Sequence, residues 1–266
     1  MSEPIAPTAQ PRTISGYAAL ERNVPLTPWS FERRAPRPHD VAFDILYCGI
    51  CHSDLHSIGH WGQSFPLVPG HEMVGRVTEV GSGVERFKRG DIVAVGVIVD
   101  SCRVCDPCQR EMETYCLAFP TSTYDGVDRV DGSRTRGGYS EAFVSDERFV
   151  HHVPAGLDLA GVAPLLCAGI TTYSPLRHWN VGPGSTVGVI GVGGLGHLAL
   201  KFARAMGAHV VAFTTSASKV EAALGLGAHE VVLSTDAALM QGQANQAHGL
   251  LTCQTYGRAA AGHPQP

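Results

Sequence analysis

The sequence predicts an α/β protein in which a β-rich domain precedes an incomplete doubly wound sheet. Between residues 13 and 153, short apolar runs such as VAFDILYCGI and DIVAVGVIV are broken by Gly, Pro and Asp, which predicts closely spaced strands of an irregular barrel or sandwich. From Leu159 the sequence alternates between helical and strand patterns. The glycine-rich stretch GVGGLG, which follows an apolar strand and opens a helix, indicates a nucleotide-binding βαβ unit in this second region.

The elements of the second region follow a β-α-β-α-β order after a first helical stretch. Val and Ile runs give the strands, Gly207 ends one helix, and Ser218-x-x-Glu221 predicts a capping box at the start of the next. The predicted elements are a helical stretch over Leu159–Trp179, the strand Thr186–Ile190, a helix over Leu195–Met206, the strand His209–Phe213, a helix from Ser218 and the strand Glu230–Leu233. This order is one half of a doubly wound sheet.

These patterns divide the chain into four segments. We predict a flexible leader over 1–12, a β-rich domain over 13–160, a partial nucleotide-binding domain over 161–240 and a disordered tail over 241–266. In the tail no period of 2 or 3.6 persists, and Gln, Ala, Gly and His dominate. Half of a doubly wound sheet leaves its first strand without a neighbour on one side, so an open apolar edge is expected at Thr186–Ile190.

The bulk composition excludes several classes of protein. The 266 residues are 44% hydrophobic and 17% charged, as in a soluble globular protein. A net charge of −4 without a Lys- or Arg-rich run gives no reason to expect nucleic acid as a partner. The longest apolar runs, such as Ile92–Val99, have the length of a strand and are too short for a membrane span. The N-terminus has no apolar signal-peptide core, so we expect a cytoplasmic protein.

The strongest motif is a run of four closely spaced cysteines. Thiolates at Cys102, Cys105, Cys108 and Cys116 can converge from one loop on a tetrahedral Zn²⁺ ion, and four protein ligands close the site to substrate. The alternatives are unpaired or disulfide-bonded cysteines, which the expected reducing compartment disfavours, and an iron–sulfur cluster, whose bacterial ferredoxin spacing differs. The run therefore predicts a structural zinc site.

A second set of metal-binding residue types surrounds two histidine-containing stretches. Cys51 and His71 suit zinc, and Glu72 offers an oxygen beside His71. A catalytic zinc needs a third protein ligand, for which Cys167, in the apolar stretch APLLCAGIT, is the candidate. Each pair alone is equally compatible with side chains that are simply packed, so spacing leaves this site open.

The glycine-rich turn and the end of the following strand predict a dinucleotide site. In the turn, glycines allow the backbone N–H groups to approach a pyrophosphate. The residues that we expect to bind the cofactor here are Gly191, Gly193, Gly194, Leu195 and Gly196. No acidic residue follows the second strand to receive a ribose hydroxyl; Thr214, Thr215, Ser216 and Lys219 stand there instead. Hydroxyls and a cation suit a 2′-phosphate and favour NADP over NAD, unless these residues only cap the next helix.

Together, five stretches resemble the zinc-dependent medium-chain alcohol dehydrogenases. They are CGICHSDLH, VPGHEMVGRV, the four-cysteine loop, APLLCAGITTYSPLRHW and GVGGLGHLALKFARAMG. They are most similar to the cinnamyl-alcohol-dehydrogenase-like branch, which includes bacterial NADP-dependent aldehyde reductases, and the match covers about Thr13 to Met240. The resemblance implies a GroES-like β-rich catalytic domain followed by a Rossmann domain, two zinc ions and NADP(H). It also implies reversible reduction of an aldehyde to a primary alcohol.

The resemblance also implies a role for each matching residue. Cys51, His71 and Cys167 correspond to the catalytic zinc ligands, Glu72 to the neighbouring acid, and the four-cysteine loop to the structural site. Three further residues correspond to the remaining catalytic groups: Ser53 and His56 to a proton relay through the cofactor ribose, and Asp54 to a group that orients a ligand or the relay. Trp61 and Val97 are candidates for the wall of the substrate pocket, with packing in the core as the alternative. Cys48 has no family role and is expected to be a small buried side chain.

The pattern departs from the family after about Met240. The family continues through three more strands and a return to the catalytic domain, and it dimerises through one of those strands. We therefore expect a chain that stops short of this continuation and lacks the usual homodimer interface. The alternative to an active enzyme is a non-catalytic zinc- and nucleotide-binding fragment, and a polyol or threonine dehydrogenase is a less favoured enzyme class.

Overall fold

The structure is a computed structural model that describes residues 10–242 and 249–252. It divides into two compact units between Cys167 and Ala168. The predicted boundary near residue 160 lies before this division, within the short helix Leu159–Val162 of the first unit.

The first unit is built from antiparallel strands, as the short apolar runs predict. β1 and β2 form a hairpin, β6 pairs with β7, and the central five-stranded sheet has the order β8-β3-β4-β5-β9. The strands are β1 Arg12–Ala18, β2 Thr27–Arg33, β3 Asp40–Cys48, β4 Met73–Val80, β5 Ile92–Val95, β6 Ile98–Asp100, β7 Thr121–Ser122, β8 Ala142–Asp146 and β9 His151–His152.

Short helical segments connect these strands. A π-helical turn over Ser57–Trp61 follows α1, and 3₁₀ turns cover Glu113–Tyr115, Glu147–Phe149 and Ala163–Leu166. The α-helices are α1 His52–His56, α2 Asp106–Gln109 and α3 Leu159–Val162. Asp158 caps α3, because its carboxylate accepts hydrogen bonds from the Ala160 and Gly161 N–H groups.

The register of β3 and β4 brings two loops together. Cys48, the last residue of β3, is paired with Met73, the first residue of β4. The chain that leaves β3 therefore lies beside the chain that enters β4, and the Gly49 N–H donates to the Glu72 carbonyl at 2.9 Å. The buried side chains of Phe43, Met73 and Val77 anchor this pair in the main core of the unit.

A second apolar cluster holds the end of the first unit against the sheet. Val74 of β4 and Ala94 of β5 pack against Val162 and Ala163, with Leu166 at the edge of the cluster. Burial of these apolar side chains fixes the position of the segment that leads to Cys167. The predicted helical stretch is consequently not continuous, because Cys167 has φ −124° and ψ −75°, outside the helical region.

The second unit contains a parallel four-stranded sheet of order β12-β11-β10-β13. The buried apolar side chains of Val187, Val189, Leu200, Val210 and Ala223 form its core. Its elements are α4 Ala168–His178, β10 Thr186–Ile190, α5 Gly194–Ala205, β11 His209–Thr214, a 3₁₀ turn over Ala217–Lys219, α6 Val220–Gly225, β12 Glu230–Leu233, α7 Ala237–Gly242 and β13 Gly249–Thr252. The β-α-β-α-β order and the α/β class are as predicted from the sequence.

The expectation of an open edge at β10 was wrong. β13 pairs with β10 in parallel, with Val187 opposite Gly249 and Ile190 opposite Thr252. The strand GLLT starts with Gly and has no run of Val or Ile, which is why the sequence pattern gave no sign of it. Within the segment predicted as a disordered tail, 249–252 is thus a strand, whereas 243–248 and 253–266 lie outside the described residues, as does most of the predicted leader.

The predicted capping box was also wrong. Ser218 lies inside the 3₁₀ turn, and its hydroxyl contacts the Ser216 hydroxyl at 2.8 Å. α6 begins only at Val220, after Lys219, whose side chain makes no capping hydrogen bond. The Ser-x-x-Glu pattern is present, but the serine backbone is already helical and does not have the extended conformation of an N-cap.

Over the residues that the structure describes, no single helix is long and apolar enough to cross a membrane. The helical segments Leu159–Leu166 and Ala168–His178 meet the criterion only when they are taken together, by length and composition alone.

Candidate functional site

Four side chains predicted as metal ligands converge in the first unit. Cys51 lies three residues after β3, His71 and Glu72 immediately precede β4, and Cys167 follows the turn over Ala163–Leu166. The nearest ligand atoms of these four residues all lie within 4.8 Å of one another, and the two thiol sulfurs are 3.8 Å apart. The strand register and the apolar cluster under Leu166 together produce this convergence.

Asp54 determines which nitrogen of His71 faces the other ligands. The His71 Nδ1 atom is 3.4 Å from Asp54 Oδ1, and both side chains are buried. The opposite nitrogen, Nε2, is buried and has no hydrogen-bond partner among the described residues, and the same is true of Glu72 Oε2. A buried polar atom without a partner is costly, and a metal ion at this point would satisfy it. Two thiols and an imidazole are a donor set that fits zinc.

Contacts within the cluster set the protonation of its side chains. A hydrogen bond from the Cys167 thiol lowers the pKa of Cys51 and raises that of Cys167, because one proton is shared between the two sulfurs. Burial disfavours a charged His71, but its contact with Asp54 and the negative charges of Asp54 and Cys51 outweigh burial and raise its pKa to about 9. Burial, together with the negative charge of Cys51, raises the pKa of Glu72 to about 7. Zinc binding at this site would therefore release protons from Cys167 and His71.

The four-cysteine run forms a second cluster in the same unit. The Cys102 and Cys108 sulfurs are 3.9 Å apart, and the Cys102 N–H lies 3.4 Å from the Cys116 sulfur. With Cys105, all four sulfurs lie within 4.8 Å of one another. Hydrogen bonds from the backbone of Val104 and Cys105 lower the pKa of Cys102 to about 6. The set fits a closed tetrahedral zinc site, as the spacing predicts.

The predicted relay residues lie beside the first cluster. Ser53 is half-buried, and its Oγ is 3.4 Å from the Cys51 sulfur. His56 stacks on the Trp61 ring, with 4.4 Å between the ring centroids. The structure therefore places Ser53, but not His56, directly against a predicted metal ligand.

A small cavity adjoins His71. It has a volume of about 180 Å³, and both predicted pocket residues, Trp61 and Val97, line it together with Ser57 and Tyr124. Trp61 is 55% exposed and Val97 43% exposed, so neither side chain is part of the core. A larger cavity of about 720 Å³ lies elsewhere in the first unit. Charged pairs such as Arg37–Asp128, at 2.9 Å, line this larger cavity, and it contains no catalytic cluster.

The predicted cofactor residues lie at the ends of β10 and β11 in the second unit. Gly191 has φ +90°, a conformation that side chains other than glycine rarely adopt. At Gly193 and at Gly194, which begins α5, an added Cβ would meet no atom of the described residues within 4 Å, apart from the glycine's own neighbours along the chain. The turn thus leaves room for a ligand at the N-terminus of α5. Leu195 and Gly196 lie in the first turn of this helix.

The polar residues after β11 lie close to the same turn. The Lys219 ammonium group donates to the Val192 carbonyl at 2.9 Å, and the Ser216 N–H donates to Thr214 Oγ1 at 3.2 Å. Thr214 is buried, whereas Thr215 and Lys219 are exposed. The exposed hydroxyl and ammonium groups are thus available at the turn.

Sequence reasoning missed the aromatic hydroxyls around the first cluster. The Tyr139 hydroxyl donates to Asp54 Oδ2 at 2.9 Å, and the Tyr124 hydroxyl lies 3.3 Å from Ser57 Oγ. The ring of Tyr124 also packs 5.6 Å from that of His71. Tyr139 and Asp54 are 85 residues apart, so no local pattern could have indicated their contact.

Comparisons with known proteins agree with this geometry. Two family models match: the alcohol dehydrogenase GroES-like domain over residues 37–155 and the zinc-binding dehydrogenase over residues 194–255. NADP-dependent alcohol dehydrogenase C 1 of Mycolicibacterium smegmatis is 55% identical over 227 residues, which are 84% of this chain and 65% of that protein. Aldehyde reductase YahK of Escherichia coli is 53% identical over 229 residues, which are 85% of this chain and 64% of that protein.

A solved structure shows the same fold. Cinnamyl alcohol dehydrogenase SbCAD4 of Sorghum bicolor aligns with a TM-score of 0.89 and 46% identity, over 93% of this chain and 71% of that one. The chain therefore belongs to the zinc-dependent medium-chain alcohol dehydrogenases, of the cinnamyl-alcohol-dehydrogenase-like type. It spans about 65% of the length of the curated relatives named here.

Proposed function

We propose that the protein is a zinc-dependent oxidoreductase that reduces aldehydes to primary alcohols, reversibly, with NADPH. The observation that carries the proposal is the convergence of two thiols and an unpartnered, buried imidazole nitrogen at one point. Relatives named as an NADP-dependent alcohol dehydrogenase and as an aldehyde reductase support the reaction class. Free cysteines at metal-binding spacing further support a cytoplasmic location.

Cys51, His71 and Cys167 would hold the catalytic zinc, and the four-cysteine cluster would hold a structural one. When bound, zinc supplies a Lewis acid for a carbonyl oxygen, and NADPH supplies a hydride. Three protein ligands would leave a position for substrate, and Glu72, whose carboxylate lies within 4.8 Å of the other ligand atoms, would offer a further oxygen ligand. Asp54 orients the His71 ring by its contact with Nδ1.

Ser53 would deliver the proton that the product oxygen takes up. Its hydroxyl lies beside Cys51, and a hydroxyl can give up one proton while it accepts another. His56, half-buried on the same helix, would then return a proton from solvent. Both groups keep the proton path within the protein, so that the zinc site need not open to bulk water.

The choice of cofactor would follow from the residues after β11. Lys219 and the hydroxyl groups of Thr215 and Ser216 can pair with a 2′-phosphate, whereas a carboxylate at this point would repel it. Gly191, Gly193 and the N-terminus of α5 would receive the pyrophosphate. The substrate would lie against Trp61 and Val97, and a cavity of about 180 Å³ favours a short or planar aldehyde.

Consumption of NADPH by the purified chain in the presence of cinnamaldehyde or benzaldehyde tests this function, with zinc content measured on the same sample. We expect turnover, and we expect Ser53→Ala to retain its zinc but to lose about 10²–10⁴-fold in kcat, the contribution of a general acid. The matched variant Ser53→Thr, which keeps the hydroxyl, should retain most of the activity.

Two results would contradict the proposal. A chain that binds two zinc ions but reduces no aldehyde with NADPH is the non-catalytic zinc- and nucleotide-binding fragment instead. Equal kcat values for Ser53→Ala and the unmodified chain would remove Ser53 from the mechanism.

A further inference from the structure

We propose that Tyr139 is a positioning residue of the catalytic metal site, acting through Asp54 on His71 and on the Cys51 loop. The inference rests on the proposed zinc site, and it assigns a function to a side chain outside every motif of the sequence. The hydroxyl of Tyr139 touches no metal ligand itself. Its effect on the ligands passes through one buried carboxylate.

Asp54 connects two of the three segments that carry the predicted ligands. Its Oδ2 atom accepts the Cys51 N–H at 2.9 Å, and its Oδ1 atom accepts the Gly70 N–H at 3.1 Å and lies 3.4 Å from His71 Nδ1. The orientation of this carboxylate therefore sets both the entry of the Cys51 loop and the direction of His71 Nε2. The Asp54 side chain is only 2% exposed, so water cannot replace a lost partner at no cost.

Tyr139 supplies a further hydrogen bond to this carboxylate. Its hydroxyl donates at 2.9 Å to Asp54 Oδ2, the carboxylate oxygen other than the one that lies 3.4 Å from His71 Nδ1. Without the hydroxyl, Oδ2 would lose this hydrogen bond and keep that from the Cys51 N–H. The carboxylate could then rotate and weaken its contact with His71 Nδ1.

The backbone around Tyr139 is fixed well enough to position its hydroxyl. The Tyr139 N–H donates to the Pro69 carbonyl at 3.0 Å, and the Tyr139 carbonyl accepts the Tyr17 N–H at 2.8 Å. The ring lies directly against Gly70, where an added Cβ would come within 2.6 Å of Tyr139 Cδ1. Tyr139 is therefore tied to the segment immediately before His71 by both its backbone and its ring.

The substitution Tyr139→Phe removes the hydroxyl and keeps the ring. Zinc affinity at the two sites is then measured by competition with a chelator, with the four-cysteine site as the internal reference. Removal of a group that orients metal ligands commonly costs 10–100-fold in affinity, and we expect about 10-fold at the catalytic site, with no change at the four-cysteine site. Tyr17→Phe, a change at a 54% exposed tyrosine whose hydroxyl makes no hydrogen bond to Asp54 among the described residues, is the matched control.

Two further measurements separate positioning from simple packing. In Co²⁺-substituted protein, the d–d absorption of the catalytic site should shift in Tyr139→Phe and not in Tyr17→Phe. In a double-mutant cycle, Tyr139→Phe should have no additional effect on zinc affinity when Asp54 is already replaced in Asp54→Asn. Additive effects would mean that Tyr139 does not act through Asp54 and would overturn the proposal.

Unchanged catalytic-site affinity in Tyr139→Phe, or an equal loss at both zinc sites, would also overturn it. The second result would show that the hydroxyl serves only the folding of the unit. Zinc affinity is measured without turnover, so this test is independent of the reaction. If Tyr139→Phe selectively weakens zinc binding at the catalytic site while the unmodified chain reduces no aldehyde, the positioning role of Tyr139 is supported and the proposed function fails.

Discussion

At the scale of single residues, Lys219 is the side chain that we propose to select the cofactor. Its ammonium group contacts the Val192 carbonyl within the glycine-rich turn, at 2.9 Å, although the residue lies on the turn after the next strand. A cation held at this turn favours a cofactor that carries an additional phosphate. The neighbouring hydroxyls of Thr215 and Ser216 add donors without adding negative charge.

Lys219→Ala should weaken the binding of NADPH about 10-fold more than the binding of NADH, because one charge-assisted hydrogen bond contributes about 1.4 kcal/mol or more to binding. Dissociation constants for both cofactors, measured by fluorescence titration, check this. Lys201→Ala, a change at an exposed lysine of α5, is the control and should alter neither constant. Equal losses of affinity for NADPH and NADH in Lys219→Ala would contradict the proposal that Lys219 binds the 2′-phosphate.

The residues of the metal site show what a sequence can and cannot predict. Cys51, His71 and Cys167 could be proposed from residue type and from resemblance, because zinc accepts few kinds of ligand. The contacts of Tyr139 and Tyr124 could not be predicted, because a tyrosine hydroxyl has no distinctive spacing and its partner, Asp54 or Ser57, is distant in sequence. Long-range hydrogen bonds of this kind are a property of the folded chain.

At the scale of structural elements, the antiparallel pairing of β3 with β4 creates the site. This pairing places the end of β3 beside the start of β4, so two short loops that carry predicted ligands become neighbours. Gly70 is a crowded point of this arrangement. It has φ +98°, and an added Cβ would lie 2.6 Å from Tyr139 Cδ1 and 2.9 Å from the Cys48 sulfur.

Gly70→Ala should therefore lower the free energy of unfolding by about 1–3 kcal/mol more than Gly90→Ala, the typical cost of overpacking. Gly90 is a matched control, because its φ is +95° but an added Cβ would meet no atom within 4 Å. The difference between the two variants thus isolates crowding from backbone strain. Urea denaturation of both variants measures it, and equal losses of stability would contradict the close packing described at Gly70.

Elements were predictable where one strong pattern covered them. The strands Thr186–Ile190 and Glu230–Leu233 have the predicted bounds, because β-branched runs between turns have few alternatives. The strand Gly249–Thr252 was not predicted, because its stability depends on pairing with β10 and not on its own sequence. The helix predicted from Ser218 starts two residues later, after a 3₁₀ turn whose serine hydroxyls contact each other.

At the scale of the whole molecule, the two units contribute different chemistry. The first carries both cysteine-containing clusters, and the second carries the glycine-rich turn and the residues after β11. Each unit has its own apolar core, so each set of functional residues is held by packing within its own unit. The central claim is that the cluster of Cys51, His71 and Cys167 is a zinc site.

The zinc content of three purified chains, measured by inductively coupled plasma mass spectrometry, tests this claim most directly. We expect two zinc ions in the unmodified chain, one in Cys51→Ala, and two in the matched variant Cys48→Ala, in which a cysteine outside both clusters is removed. Two zinc ions in Cys51→Ala, or the loss of one in Cys48→Ala, would contradict the assignment of the site.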